Sequence, residues 1–187
     1  MTTLRQQIFR FMTDALRFPI GKFTAPALVG ATELRDYRER IRSYPDRLRR
    51  RVAHWSDTQL AHPYRPGGWT VRQLVHHLAD SHLNSYLRFK LALTEERPTI
   101  RPYHEDRWAQ LPDSQLPIGV SLDLLTALHH RWGTLLDTFG AEDLIRVFVH
   151  PADGKAYRLD EAMGLYAWHG DHHLAHIEGL AQRQAWT

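Results

Sequence analysis

Gly67-Gly68-Trp69-Thr70-Val71-Arg72-Gln73-Leu74-Val75-His76-His77-Leu78 is the stretch on which the fold class turns. The two glycines and Trp69 give a turn, and Thr70 stands where a helix N-cap belongs. Gln73, three residues on, completes a capping box, in which the hydroxyl and the carboxamide each satisfy an orphan backbone N–H. Trp69 faces Leu74 as a hydrophobic staple. Val71, Leu74, Val75, Leu78, His82 and Tyr86 then recur at helical spacing, and the pattern runs to about Leu93.

Upstream of this helix, Thr32 opens a charged helical stretch from Glu33 towards Trp55. Pro45 either kinks it or begins a second segment, because proline fits only a first turn without losing a hydrogen bond. A loop with Pro19, Gly21 and Pro26 comes before it. Residues 1–17 carry Arg5, Arg10 and Arg17 among Leu, Ile and Phe, and read as an N-terminal extension, either disordered or a surface helix. They hold no uninterrupted apolar core of the kind a secretory signal needs, and Asp14 leaves an organelle transit peptide open. Residues 18–187 read as one domain.

Downstream, residues 94–120 are rich in proline and charge and too long for a tight connection. Such loops often wrap an opening, so a crossover shaping a pocket rim is expected, anchored by Tyr103 and Trp108. Leu122 to Phe139 is a third core helix, with Leu125, Leu128, Trp132 and Leu136 on one side. Arg146–His150 and Lys155–Leu159 flank Pro151-Ala152-Asp153-Gly154 and predict a short β-hairpin. Asp160 is the expected N-cap of the last helix, Glu161 to about Gln182. Four amphipathic helices predict an all-α, antiparallel four-helix bundle, with a long crossover loop and the hairpin before the last helix.

The 187 residues, 43% hydrophobic and 24% charged, suit a single soluble globular domain. No apolar run approaches the roughly 20 residues that cross a bilayer, so no membrane partner is expected. There is no cysteine. That excludes disulfides, thiolate zinc sites and a cysteine nucleophile, leaves nitrogen and oxygen to hold any metal, and fits a cytoplasmic location. The net charge is +3. Much of the excess lies in Arg47-Leu48-Arg49-Arg50-Arg51, read as a solvated helix face. No nucleic-acid motif accompanies it, so no nucleic-acid partner is expected.

Chemistry is concentrated in two histidine clusters, His76-His77-Leu78-Ala79-Asp80-Ser81-His82 and Trp168-His169-Gly170-Asp171-His172-His173-Leu174-Ala175-His176. Neutral imidazole is the commonest metal ligand. On the last helix His169 and His173 form one pair four residues apart, and His172 and His176 form another; spacing alone does not choose between them. On the second helix His77 lies on the flank of the apolar stripe, His82 near its middle, and His76 points outward. Three imidazoles leave an open position, as in catalytic zinc sites. The zinc-protease motif is absent: Gly170 stands where its glutamate would follow His169, and Asp171 lies on the other side of the helix. His129 and His130 read as packing or surface residues. His54, His62, His104 and His150 show no spacing that requires a role. Asp80 and Ser81 are placed to orient a ligand through its free ring nitrogen.

Several of these segments resemble the DinB/YfiT-like superfamily and, within it, the YfiT-type metal-dependent hydrolases. They are Pro63-Tyr64-Arg65, Gly67 to Gln73, His76 to His82, Arg88 to Glu95, Arg101-Pro102-Tyr103, His129 with Arg131-Trp132, and Gly164-Leu165-Tyr166 with Trp168-His169 and the histidines after them. The likeness runs from about Phe18 to the end. It implies a homodimeric four-helix bundle with one divalent metal ion per chain, zinc before nickel, held by His77, His169 and His173. That carry-over selects one of the two pairs left open above and demotes His82. Asp80, Ser81 and His176 remain candidates to orient a ligand. The implied activity is metal-dependent hydrolysis of a small-molecule substrate by water. Relatives with similar sites are S-transferases for bacillithiol, mycothiol or glutathione, so activation of a low-molecular-weight thiol is the alternative. A non-catalytic metal- or ligand-binding stress-response bundle is the second.

Overall fold

A computed structural model describes residues 15–186. The expectation for most of the N-terminal extension therefore lies outside the described residues. Four long helices form the body: α1 (Ala31–Val52), α2 (Val71–Thr94), α3 (Gly119–Asp137) and α4 (Leu159–Gln184). Strands β1 (Val147–Val149) and β2 (Ala156–Arg158) pair antiparallel, with Phe148 opposite Tyr157. No helix among the described residues is long and apolar enough to cross a membrane.

The best-marked start in the sequence is the one found. At α2 the Gln73 N–H donates to Thr70 Oγ1 at 3.2 Å, and the Thr70 N–H donates to Gln73 Oε1 at 3.0 Å. Helix α1 runs unbroken through Pro45. A proline has no N–H to give the carbonyl four residues back, so the Ile41 carbonyl is left without its helical partner. The last helix starts earlier than expected, with Arg158 rather than Asp160 at its N-cap. Leu159 N–H still donates to Arg146 O at 2.9 Å, which carries the hairpin ladder into the first helical residue. Asp160 sits in the first turn, where its carboxylate takes the Glu161 N–H at 2.7 Å and the Arg158 guanidinium.

Each of α1 and α2 packs on both α3 and α4, so the consecutive helices α1 and α2 lie across the diagonal. Two neighbouring pairs run antiparallel: α1 with α3, tied by Arg49–Asp123 and Arg42–Asp137, and α2 with α4, where His77 meets His173 and Arg88 meets Tyr166. The other two run parallel. His76 meets Ser121, His82 meets His129 and Phe89 meets Trp132 between α2 and α3, while Tyr37 meets Gly164 and Tyr44 meets Gly170 between α1 and α4. A parallel neighbour obliges the chain to travel back the length of α2, whose 24 residues span about 36 Å at 1.5 Å each. The crossover after α2 supplies that reach.

Of the two residues expected to anchor the crossover, Tyr103 reaches Ser81 of α2, while Trp108 stays partly exposed, its ring tilted against that of Tyr103 at 4.6 Å. Ile100 is buried instead, and Gln73 Nε2 donates to Ala109 O at 2.9 Å. His76, expected to point outward, is buried between Ser121 Oγ at 2.7 Å and Leu116 O at 3.0 Å. The arginine run is not simply solvated either: Arg47 joins Arg40 in holding Asp171 of α4, at 2.5 and 2.7 Å.

Two buried clusters fill the bundle, one around Leu48, Leu74, Leu78 and Ile177, the other around Phe89, Trp132, Leu136 and Met163. Helix α1 approaches α4 so closely that a Cβ on Gly170 would lie 2.8 Å from the Tyr44 ring. A Cβ on Gly179 would meet only the tip of the Arg183 side chain, at 3.2 Å. Gly170→Ala is therefore expected to cost about 1–3 kcal/mol through overpacking, lowering the midpoint of thermal unfolding by roughly 2–4 °C per kcal/mol. Gly179→Ala should leave it unchanged or raise it. A Gly170→Ala variant that melts with the wild type would contradict the close approach.

Candidate metal centre

The antiparallel packing of α2 on α4 brings His77 to His169 and His173. One ligand atom from each lies within 4.8 Å of the others. His169 and His173 are one helical turn apart on one face, with ring centroids 4.6 Å apart, and His77 closes the triangle at 5.6 and 5.2 Å. His77 and His173 are buried and His169 half-buried. All three line a cleft of about 840 Å³ whose walls include Arg65, Trp69, Arg88, Tyr103, Tyr166 and Trp168. The Trp69 ring stands 4.7 Å from that of His77.

His172, His173 and His176 meet the same distance criterion, so both pairs left open by the spacing persist in three dimensions. The two groups differ in setting. The first draws on two helices and opens onto the cleft throughout. In the second, all from α4, His176 is absent from the cleft wall and its Nε2 already meets Leu16 O at 3.1 Å. Arg65 adds positive charge beside both His172 and His176.

Burial holds His77 neutral, pushing its pKa down to about 4. His169 is driven well below the usual histidine range by burial and then by His77 and His172, and His173 by burial and then by His169, His77, His172 and His176. Among the described residues the His77 and His173 side chains make no hydrogen bond, and His173 Nδ1 is a buried atom without a partner. An imidazole nitrogen left so costs about 1–3 kcal/mol. Three neutral nitrogen donors with convergent, unsatisfied lone pairs fit a divalent ion of the zinc or nickel type.

No carboxylate joins this set. Gly170 is held free of a side chain by Tyr44, and Asp171 is turned away into Arg40 and Arg47. Asp80 has its pKa raised to about 6 by burial and then by the charge of Asp113. Ser81 lines the cleft and reaches Tyr103. No hydrogen bond joins Asp80, Ser81 or His176 to His77, His169 or His173 among the described residues. The partner of His169 is His82, whose Nε2 lies 3.2 Å from His169 Nδ1. His82 Nδ1 in turn lies 2.8 Å from His129 Nε2, and His129 Nδ1 lies 2.6 Å from the Ile41 carbonyl oxygen. A packing or surface role was expected of His129, and sequence reasoning missed this connection. One sequence signal did exist, in the mid-helix Pro45 and the carbonyl it frees. His104 and His150 also reach the cleft wall, while His130 is exposed.

Buried neutral histidines make stability depend on pH. His77 and His129 have folded-state values near 4 against about 6.5 when unfolded. Between those values the unfolded chain binds the extra protons, so stability rises with pH. It is fully present above about pH 6.5 and is lost as the pH falls towards 4, by up to about 1.4 kcal/mol per pH unit for each such histidine. Urea unfolding of metal-free protein from pH 7.5 to 4.5 should show the midpoint level down to about pH 6.5 and falling below it. A flat profile would mean that these imidazoles are solvated.

Known proteins share this fold and much of this sequence. A family model described as the DinB superfamily matches residues 40–177. A Bacillus cereus protein carrying the name "Putative metal-dependent hydrolase" is 51% identical over 171 residues, spanning 91% of this chain and 98% of its own length. A counterpart from Bacillus thuringiensis subsp. konkukian gives the same identity and coverage. Among solved structures, YfiT from Bacillus subtilis superposes with a TM-score of 0.90 at 45% identity, over 92% of this chain and 99% of that one. It is described as "a probable metal-dependent hydrolase with an unusual four-helix bundle topology". With the family model covering most of its length and relatives sharing half its residues, the chain belongs to the DinB superfamily.

Proposed function

We propose that this protein is a metal-dependent hydrolase whose divalent ion, zinc before nickel, is held by His77, His169 and His173. The observation that carries this reading is the convergence of three buried or half-buried neutral imidazoles on one wall of an open cleft. A divalent ion in such a site acts as a Lewis acid and lowers the pKa of bound water to about 7. The chain's own contribution is to present the lone pairs and to shape the cavity. Trp69, Tyr166 and Trp168 bring large aromatic surface to the cleft beside the histidines. Arg65 and Arg88 stand on the same walls and offer positive charge to an anionic group on a small-molecule substrate. The hydrolase names of the relatives point the same way.

A second reading is favoured by one specific feature, the absence of a carboxylate at the histidine site. With Gly170 bare and Asp171 locked in ion pairs, no adjacent general base is supplied to deprotonate water. A low-molecular-weight thiol requires less help, because a coordinating thiol is deprotonated outright. Transfer of such a thiol to an electrophile therefore stands beside hydrolysis.

The reading is tested first by metal content. Protein purified without a histidine tag should bind about one equivalent of zinc, and His77→Ala, His169→Ala and His173→Ala should each lose at least ten-fold in affinity, as expected when one of three ligands goes. His176→Ala should retain it. Loss in His176→Ala with retention in His77→Ala would instead assign the second histidine group. Aryl-ester hydrolysis by zinc-loaded protein, compared with conjugation of a thiol to an electrophilic dye, then separates water from thiol as nucleophile.

A further inference from the structure

We propose that His129 and His82 are positioning residues that hold His169 as its Nδ1–H tautomer, turning the Nε2 lone pair towards the ion shared with His77 and His173. The argument follows protons along three contacts. A carbonyl oxygen can only accept, so the 2.6 Å contact of His129 Nδ1 with Ile41 O places a hydrogen on that nitrogen. A neutral imidazole has one N–H, and so His129 Nε2 accepts. Its neighbour His82 Nδ1, at 2.8 Å, must then donate. His82 Nε2 is left as an acceptor, and His169 Nδ1, at 3.2 Å, donates to it. The hydrogen of His169 is thereby committed to Nδ1, and Nε2 is free.

The direction of this relay is set at one end. A row of imidazoles could point its hydrogens either way, but the opposite polarity would need the Ile41 oxygen to donate. That oxygen is available because Pro45, four residues on, has no N–H to occupy it within α1. The relay is also sealed. His82 and His129 are each 1% exposed, the Tyr44 ring lies tilted against theirs at 5.2 and 5.9 Å, and Trp132 meets them edge-on at 6.2 and 5.7 Å. Burial keeps both neutral, and the charges felt by His82 come only from other histidines. Metal-bound histidines generally hold their second nitrogen on a carboxylate or carbonyl. Here the carbonyl belongs to another helix, and two further imidazoles carry its influence across the bundle.

This inference rests on the three-histidine reading of the metal centre, and the experiment separates the two. In metal-free, full-length protein labelled with 15N-histidine, long-range 1H–15N spectra should show His82, His129 and His169 all protonated at Nδ1. His169 protonated at Nε2 would overturn the proposal whatever the metal does. His129→Phe keeps the ring contacts with Tyr44 and Trp132 but removes the acceptor of His82. It should make His169 a mixture of tautomers and weaken zinc binding 10- to 100-fold in competition with a chromophoric chelator, the loss usual when a ligand's outer partner is removed. His130→Phe, on the exposed side of the same helix, should leave both unchanged. Unaltered zinc affinity in folded His129→Phe would also overturn the proposal. If that variant does not fold, the wild-type tautomers decide alone. Wild-type zinc affinity in His77→Ala would refute the metal site and leave the tautomer result standing.

Discussion

The contact of Tyr44 with bare backbone at Gly170 is the constraint on which the rest of this structure turns. It sets the separation of α1 and α4, which run side by side in the same direction. Because Gly170 lies between His169 and the turn bearing His172 and His173, the tyrosine ring is brought behind this row of histidines, where it covers His82 and His129. The next residue, Asp171, is then delivered to Arg40 and Arg47. One packing contact thus removes both positions from which α4 could have supplied a carboxylate beside His169. The missing base has a steric origin in the helix interface.

What the sequence revealed about this fold depended on how local the cause was. The start of α2 rests on a capping box within four residues, and the hairpin on Asp-Gly between two short apolar runs; both needed nothing from elsewhere. The direction of α3 could not be read that way. The length of the crossover was visible, but whether α3 returns parallel or antiparallel to α2 depends on which faces meet, and that is decided by pairs such as His82 with His129. His76 was misjudged for the same reason. Its outward angle on the helix is real, yet the crossover supplies the Leu116 carbonyl and the start of α3 supplies Ser121 as polar partners. Arg47 looked solvated because Asp171, its partner, is 124 residues away in the chain.

The candidate site was legible to a similar depth. Spacing on α4 identified two histidine pairs and stopped, because residues 169, 172, 173 and 176 share a broad face and angular position alone does not rank them. The structure adds His77 of another helix to the pair His169 and His173, a contact between helices that spacing along α4 does not contain. The relay behind His169 was further out of reach. Its anchor is a carbonyl, invisible to any side-chain pattern, and only the mid-helix proline hinted that a carbonyl there would seek a partner.

The charge balance of the centre narrows what can occupy it. Every donor in the three-histidine group is neutral, and burial enforces that neutrality. Among the described residues Asp171 is committed to two arginines, Asp80 makes no hydrogen bond to these imidazoles, and Glu105 and Asp106 stand on the cleft wall. A dication held there keeps its full positive charge, and Arg65 and Arg88 add to it across the cavity. In a partly desolvated cleft such a field is strongly unfavourable unless an anion enters. The protein has left that role vacant. An anionic ligand, whether hydroxide, thiolate or a substrate carboxylate, would therefore gain electrostatic energy beside a bound dication that a neutral one would not.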